Sequence, residues 1–579
     1  MLPSKRAPVL QVEVILVYAA GLYGLLLSLC AVAAAQEAET STDRLLALLP
    51  ERTAAVVVVP DLAANWNRIS STPLAKRVAE LPSVVEVLAT HDLAKVQRDL
   101  ESLFGVPIDR IREDLLGESL VFAVWHEDDA PAEKASGVLL TQMKDAALGE
   151  RVIHALQQAD QDATLTIETQ SYRGQSYHTR SFKDRTRPSD SWAFLPGNRF
   201  IWSNSTELIR QAIGRSNTQG PSIRSHPQFQ RVFNRIVTND PVMWAYVHPD
   251  FLRRFDRETH TAPEDAINRE FRRLADSVEG IGCSFRWNER LQLQLTFAME
   301  PGSAGLLAGL SSPNARDTSQ IELRLSPRTV MIARGFFDFP AAYEAFLGLL
   351  EKSDPAASVA MNELLKGFLR GEDPKTRILP HVGPEVVVGI EAPASGETRC
   401  PWVVAVPLRG DQEVERAVEN AIATVMAAAA LDTKTTPRAR FETRQVNGGS
   451  LRVLDREGRT LGVAIQSDQF AAGSPAERVA EWLGVDGGAS EQSRAWAILG
   501  RGSSASIVAD LVAIETAIST NRAALIERMI KIEGRNEKDA ARDLDQASAM
   551  IRLFRAGALE LDWAPKDAML ELRVSLQSR

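Results

Sequence analysis

Hydrophobic positions along the 579 residues fall into three kinds of run. One is a single unbroken block, Val14 to Ala35, in which no residue is charged. A second alternates apolar and polar side chains over short stretches, as at Ala54–Val59, Ser176–Arg180, Trp192–Leu195, Phe200–Ser203, Val242–Val247 and Val330–Phe336. A two-residue period predicts strands with one buried face, and tight turns between short strands favour antiparallel pairing. The third kind repeats at helical spacing, as in LAKRVAEL after Pro73, in Asp145–Gln158 and in Ala421–Leu431. Start signals sit before several of these helices. Thr72 precedes Pro73, Asp61 and Asp338 close strands, and NSTE (Asn204–Glu207) and SPAE (Ser474–Glu477) read as caps in which Asn204 or Ser474 accepts from first-turn amides and the glutamate reaches back.

The pattern occurs twice. LLPERTAAVVVVPDL (Leu48–Leu62) aligns with RLSPRTVMIARGFFDF (Arg324–Phe339), and LLGESLVFAVW (Leu115–Trp125) with HVGPEVVVGI (His381–Ile390). Ser191–Ile213 aligns with Leu461–Leu483, and Ile281–Phe297 with Leu559–Leu576, each of the last pair carrying a tryptophan (Trp287, Trp563) before a turn and an alternating strand. Order is kept throughout, which chance similarity does not preserve. The expected organisation is therefore α+β: two tandem homologous units at 44–300 and 320–579, each a mostly antiparallel sheet with packed helices, joined by a Gly/Ser/Ala/Pro linker at 301–319.

The uncharged block follows Lys5 and Arg6, ends in Ala33 and Ala35 and is succeeded by a polar stretch, so residues 1–35 read as a signal peptide cleaved after Ala35. An uncleaved single-span anchor over residues 14–35 is the alternative, which would tether the protein to the inner membrane. Either implies an exported protein of the periplasm or cell envelope. The formal charge of -9 argues against nucleic acid, because no net positive field exists to release counterions. Outside the block only Cys283 and Cys400 occur, which excludes a disulfide-rich scaffold and reads as two free, buried thiols.

No motif with catalytic spacing appears. There is no phosphate loop of the G-x-x-x-x-G-K-[ST] kind, no G-x-S-x-G elbow, no H-E-x-x-H and no C-x-x-C. Gly500, Gly502 and Ala505 imitate a dinucleotide loop but lead into a strand-like run, so they read as a turn. His126–Asp129, and next His248 with Asp250, are the densest possible metal ligands; both read as solvated turns. Glu118 and Glu385 each lie near a glycine and read as strand-entry positions rather than a carboxylate pair. Trp287 and Trp563 read as core. The charged stretches Arg522–Arg555 and Arg253–Arg273 interleave both signs and read as solvated helices. No catalytic, cofactor-binding or metal residue is assigned.

The segments LLPERTAAVVVVPDLAANW, STPLAKRVAEL and LFGVPIDRIREDLLGESLVFAVW (Leu103–Trp125) resemble an uncharacterised family of exported bacterial proteins, best populated in planctomycetes. The resemblance covers most of the first unit, more weakly the second, and implies export without bringing catalytic residues or a ligand. The expected function is a non-enzymatic envelope or periplasmic protein with a binding or scaffolding role and no cofactor, its partner an envelope protein or lipid. Two alternatives stay open: an exported hydrolase with a dispersed site, signalled by a pocket of ionisable groups, and lipid or lipoprotein handling, signalled by an apolar cavity.

Overall fold

The computed structural model describes residues 40–579 except 87–92, 126–134, 162–165, 182–188, 254–271, 311–325, 432–439, 485–502 and isolated single residues or pairs. The expected leader, the His126–Asp129 cluster, most of Arg253–Arg273 and Gly500 with Gly502 lie outside the described residues.

Alternating runs become ten strands in the first half: β1 (Thr53–Pro60), β2 (Ser119–Trp125), β3 (Ser136–Gln142), β4 (Thr166–Tyr172), β5 (Gln175–Ser181), β6 (Asp190–Leu195), β7 (Arg199–Ser203), β8 (Met243–Val247), β9 (Val278–Trp287) and β10 (Arg290–Met299). Ten more follow: β11 (Thr329–Phe336), β12 (Glu385–Glu391), β13 (Trp402–Pro407), β14 (Arg440–Val446), β15 (Gly449–Arg456), β16 (Arg459–Gln466), β17 (Gln469–Ser474), β18 (Ala505–Asp510), β19 (Phe554–Ala564) and β20 (Met569–Ser578). With helices packed on this antiparallel sheet, the class is α+β.

In the first half the lateral order is β4-β5-β6-β7-β3-β2-β1-β8-β9-β10. In the second it is β14-β15-β16-β17-β13-β12-β11-β18-β19-β20, the same order with each label raised by ten. Even the irregularities coincide: register slips between Thr53 and Ala55 against β2, and between Thr329 and Met331 against β12. β10 and β20 pair with one another, so the halves form one twenty-stranded sheet. Leu291 faces Trp287 and Leu570 faces Trp563, each across its own hairpin. If these leucines are counterparts, so are Gln294 and Arg573, and those two face each other across the seam. The junction thus has a local two-fold, as in an isologous dimer interface.

One sheet face carries the main cores. Helices α1 (Ser41–Leu46), α6 (Thr206–Asn217) and α7 (Pro227–Ile236) bury Val56, Val58, Val121, Leu140, Ile201 and Tyr246 in the first half. Helix α11 (Ala476–Gly484) covers Ile332, Val387, Ala405 and Val453 in the second. The opposite face is partly covered by α3 (Pro73–Ala79) and α5 (Ala146–Gln161), and in the second half by α10 (Gln412–Leu431) and α12 (Leu511–Thr520), while α2 (Leu62–Ser71), α4 (Leu93–Phe104), α8 (Phe339–Ser353), α9 (Pro355–Phe368), α13 (Arg522–Glu533) and α14 (Glu537–Ile551) pack beside other helices. Ala421–Leu431 falls inside α10. Among the described residues no helix is long and apolar enough to cross a membrane.

Several start signals act as read. Asp61 accepts from Ala64 N at 3.0 Å, Asp338 from Ala341 N at 3.0 Å and Thr72 from Ala75 N at 3.2 Å. The other two differ. Ser205, not Asn204, caps α6, accepting from Leu208 N at 3.4 Å, while Asn204 Oδ1 accepts from Gly137 N at 2.8 Å. The Ala476 amide at the start of α11 is met by Thr460 Oγ1 at 2.9 Å from the neighbouring β16, and Ser474 donates to Thr460 O at 2.9 Å. The first cap is local but one residue later than read, because Asn204 is engaged by the neighbouring β3; the second comes from a neighbouring strand, which local spacing does not encode. Of the expected linker 301–319, residues 305–309 form a helical turn whose Leu307, with Leu310, packs beside Val278, Met299 and Trp563.

Candidate functional site

The second face of the first-half sheet holds an apolar cavity. Alternation puts Trp192 and Phe194 of β6, Phe200 and Trp202 of β7, and Leu139 and Thr141 of β3 on this face, with Trp192 directly opposite Trp202 and Phe194 opposite Phe200. Helix α5 lies over them. Gly149 permits its close approach, since a Cβ there would stand 2.6 Å from Met143 Sδ and 3.2 Å from Phe194 Cε1. Val152 and Ile153 of α5 and Leu115 and Leu116 close the rest of a cavity of about 340 Å³, at the small end of the range for ligand pockets. The rings are held in place: Phe194 and Phe200 centroids are 5.1 Å apart, and His178 stacks on Trp192 at 5.5 Å.

Two polar features orient this site. Arg180 of β5 grips Asp190 of β6 in a fork, Nε to Oδ1 at 3.0 Å and Nη2 to Oδ2 at 2.5 Å, and the pair stands where the cavity meets an open apolar shelf. The shelf, about 600 Å³, is floored by Ala55, Val57, Phe122, Val124, Leu139 and Trp202. Phe122 and Trp202 are 48% and 43% exposed there, unusual for large side chains in the middle of a sheet. Trp192 is 5% exposed, and its indole N–H is buried without an acceptor among the described residues. A buried donor without a partner costs free energy unless an acceptor is supplied. Burial also lowers the His178 pKa beneath its ordinary 6.5, favouring a neutral ring against Trp192.

Among the described residues, Thr141 supplies the cavity's lining hydroxyl, whose Oγ1 donates to Leu115 O at 3.1 Å, while Asp190 is paired with Arg180.

Residues weighed in the sequence are dispersed. Glu118 is a strand-entry position whose carbonyl accepts from Asp61 N at 2.8 Å. Glu385 is not its counterpart: Ser119 faces Pro60 as Glu385 faces Phe336, a one-residue offset that turns Glu385 into the main core. There it is 1% exposed and paired with Arg334 at 2.6 Å. Glu207 accepts from Gln211 and Glu477 from Thr460, both on the surface. Trp563 is 3% exposed in the core, and Trp287 donates to Thr72 Oγ1 at 3.2 Å. His248 lies 3.6 Å from Asp250, and among the described residues no three His, Cys, Asp or Glu side chains gather as metal ligands. Ala505 opens β18, a strand and not a helix. Arg522 forks onto Asp545 at 3.0 Å between α13 and α14, on the surface as a solvated stretch requires. Both cysteines are free, but Cys400 is exposed, because it lies in the β12–β13 loop outside the strands; Cys283 is half-buried, and burial raises its pKa.

The aromatic cavity went unseen in the sequence. Its signal was present as WAF (Trp192–Phe194) and FIW (Phe200–Trp202), two strands with large rings at alternate positions on a face that an ordinary antiparallel sheet leaves polar.

Residues 113–369, less than half of the chain, match the sequence pattern of a family described as a protein of unknown function, DUF3352. That stretch includes every residue lining the cavity. No curated protein and no solved structure matches the chain.

Proposed function

We propose that this is an exported, non-enzymatic envelope protein, built by internal duplication, whose first half binds an apolar ligand such as an acyl or isoprenoid chain. The observation that carries the reading is the aromatic cavity that opens onto an apolar shelf. An apolar chain fills the cavity and shelf by the hydrophobic effect. The uncharged block at 14–35 supports export, and the repeated order of pairing supports duplication followed by divergence, since the site's rings belong to the first half alone.

Brominated fatty acids quench tryptophan on contact. Titration with one is expected to quench part of the fluorescence saturably at about 1:1 stoichiometry, and Trp192→Phe with Trp202→Phe is expected to abolish that component. Native mass spectrometry of residues 36–579 from a bacterial envelope is expected to retain one lipid-sized adduct. A bare polypeptide together with unsaturable quenching would sink the proposal.

A further inference from the structure

We propose that the second half carries a separate binding groove for a polyvalent phosphate. At the end of the sheet where β11 and β13 begin and β12 and β17 finish, a groove of about 1640 Å³ is walled by the β12–β13 loop, the β15–β16 turn and α12. Among the described residues five arginines line it, Arg328, Arg399, Arg459, Arg478 and Arg528, against two carboxylates, Glu391 and Glu397, with no lysine or aspartate. The described lining thus carries an excess of three positive charges in a chain whose formal charge is -9. A concave site with protein walls focuses such a field, and guanidinium forks match the oxygens of phosphate.

The groove already holds one oxyanion of its own. The Glu391 side chain, 8% exposed, lies 3.4 Å from Arg328 Nη2 and 3.5 Å from Arg478 Nη1. Arg478 also reaches Glu481 at 2.5 Å, and Arg528 donates to Thr398 O at 3.1 Å. These contacts fix three guanidinium groups in the wall. Arg399 and Arg459, both exposed, line the groove and make no ion pair with any described residue. A single monovalent anion would satisfy one of them; two free guanidinium groups beside three anchored ones suit an anion with several charged oxygens. This needs only a local field, unlike a nucleic-acid surface, whose many phosphate contacts the acidic chain disfavours. Five separate segments contribute the arginines, so no motif in the sequence marks the site.

Isothermal titration of the full protein with inorganic tripolyphosphate tests the assignment, at about 0.15 M salt, where charges are screened beyond about 8 Å. Saturable binding is expected, weakened about tenfold or more by Arg399→Ala combined with Arg459→Ala, since charge-assisted contacts are the strong ones. Both residues are exposed and unpaired, so the variant keeps its fold. Arg542→Ala, on the far surface of α14, is the control and is expected to bind as the parent does. Absence of binding, equal binding of citrate, or equal loss in the control overturns the proposal.

Discussion

His178 and Trp192 show how single side chains tie the site to the conditions around it. The imidazole stacks on the cavity's buried indole, and its Nδ1 lies 3.1 Å from Thr169 Oγ1. Burial holds its pKa below 6.5 in the folded protein, whereas the unfolded chain titrates at the ordinary value. The unfolded state thus binds the extra proton first as pH falls. The stability linked to the neutral ring is complete above about pH 6.5 and is lost as pH drops through the folded pKa. Urea midpoints measured between about pH 7 and about pH 5 are expected to fall more steeply for the parent than for His178→Gln. Superimposable profiles would show that the imidazole carries no such linkage. Little of this was legible from sequence, because a histidine in an alternating strand is ordinary until the register sets it opposite a tryptophan.

At the scale of elements, close approach decides which faces become core. Gly280 and Gly282 of β9 lie beneath α7, and a Cβ on Gly282 would fall within Val232 Cγ1 and stand 2.8 Å from Ile236 Cγ2. Gly282→Ala is therefore expected to destabilise by about 1–3 kcal/mol, the usual penalty of overpacking. At Gly137 in β3 an added Cβ meets nothing within 4 Å, so Gly137→Ala is expected to be neutral or slightly stabilising. Denaturant midpoints of the two variants separate packing from backbone effects; equal shifts would remove α7 as the cause. The strands, their alternation and the caps at Asp61, Thr72 and Asp338 were readable because each signal is local. The cap from Thr460 depends on a neighbouring strand, and the Glu385 burial on a one-residue offset, so both lay beyond local reading.

For the whole molecule, the seam is the controlling feature. Nine consecutive pairs, Arg290↔Gln577 to Ala298↔Met569, join the halves. Polar side chains bridge the halves: Gln294 Nε2 donates to Glu571 at 3.4 Å and Arg235 Nη2 to Asp567 at 2.7 Å, while Arg286 and Arg573 hold Gln292 and Glu560 within their own hairpins. Gln294 and Thr296 are 4% and 0% exposed, so a slipped register would strand buried polar groups. Residues 36–319 and 320–579 expressed as two chains are expected to co-purify, because β10 and β20 otherwise leave long open edges. Arg573→Glu, which places a further carboxylate near Glu560 and Glu571, is expected to separate them. Halves that elute apart with the parent seam would show that this edge does not drive assembly.

What the sequence determined by itself is what repeats along the chain: the alternation that makes strands, the local caps, the absence of any spaced catalytic motif, and a second pass through the same pattern. Those follow from interactions between residues a few positions apart. Tertiary structure alone decided that four aromatic rings from β6 and β7 share a cavity with α5, that five distant arginines line one groove, and that β10 meets β20 at a local two-fold. Each of these depends on which strand lies beside which. That choice is made by burial and hydrogen bonding summed over the whole sheet, and no single segment contains it.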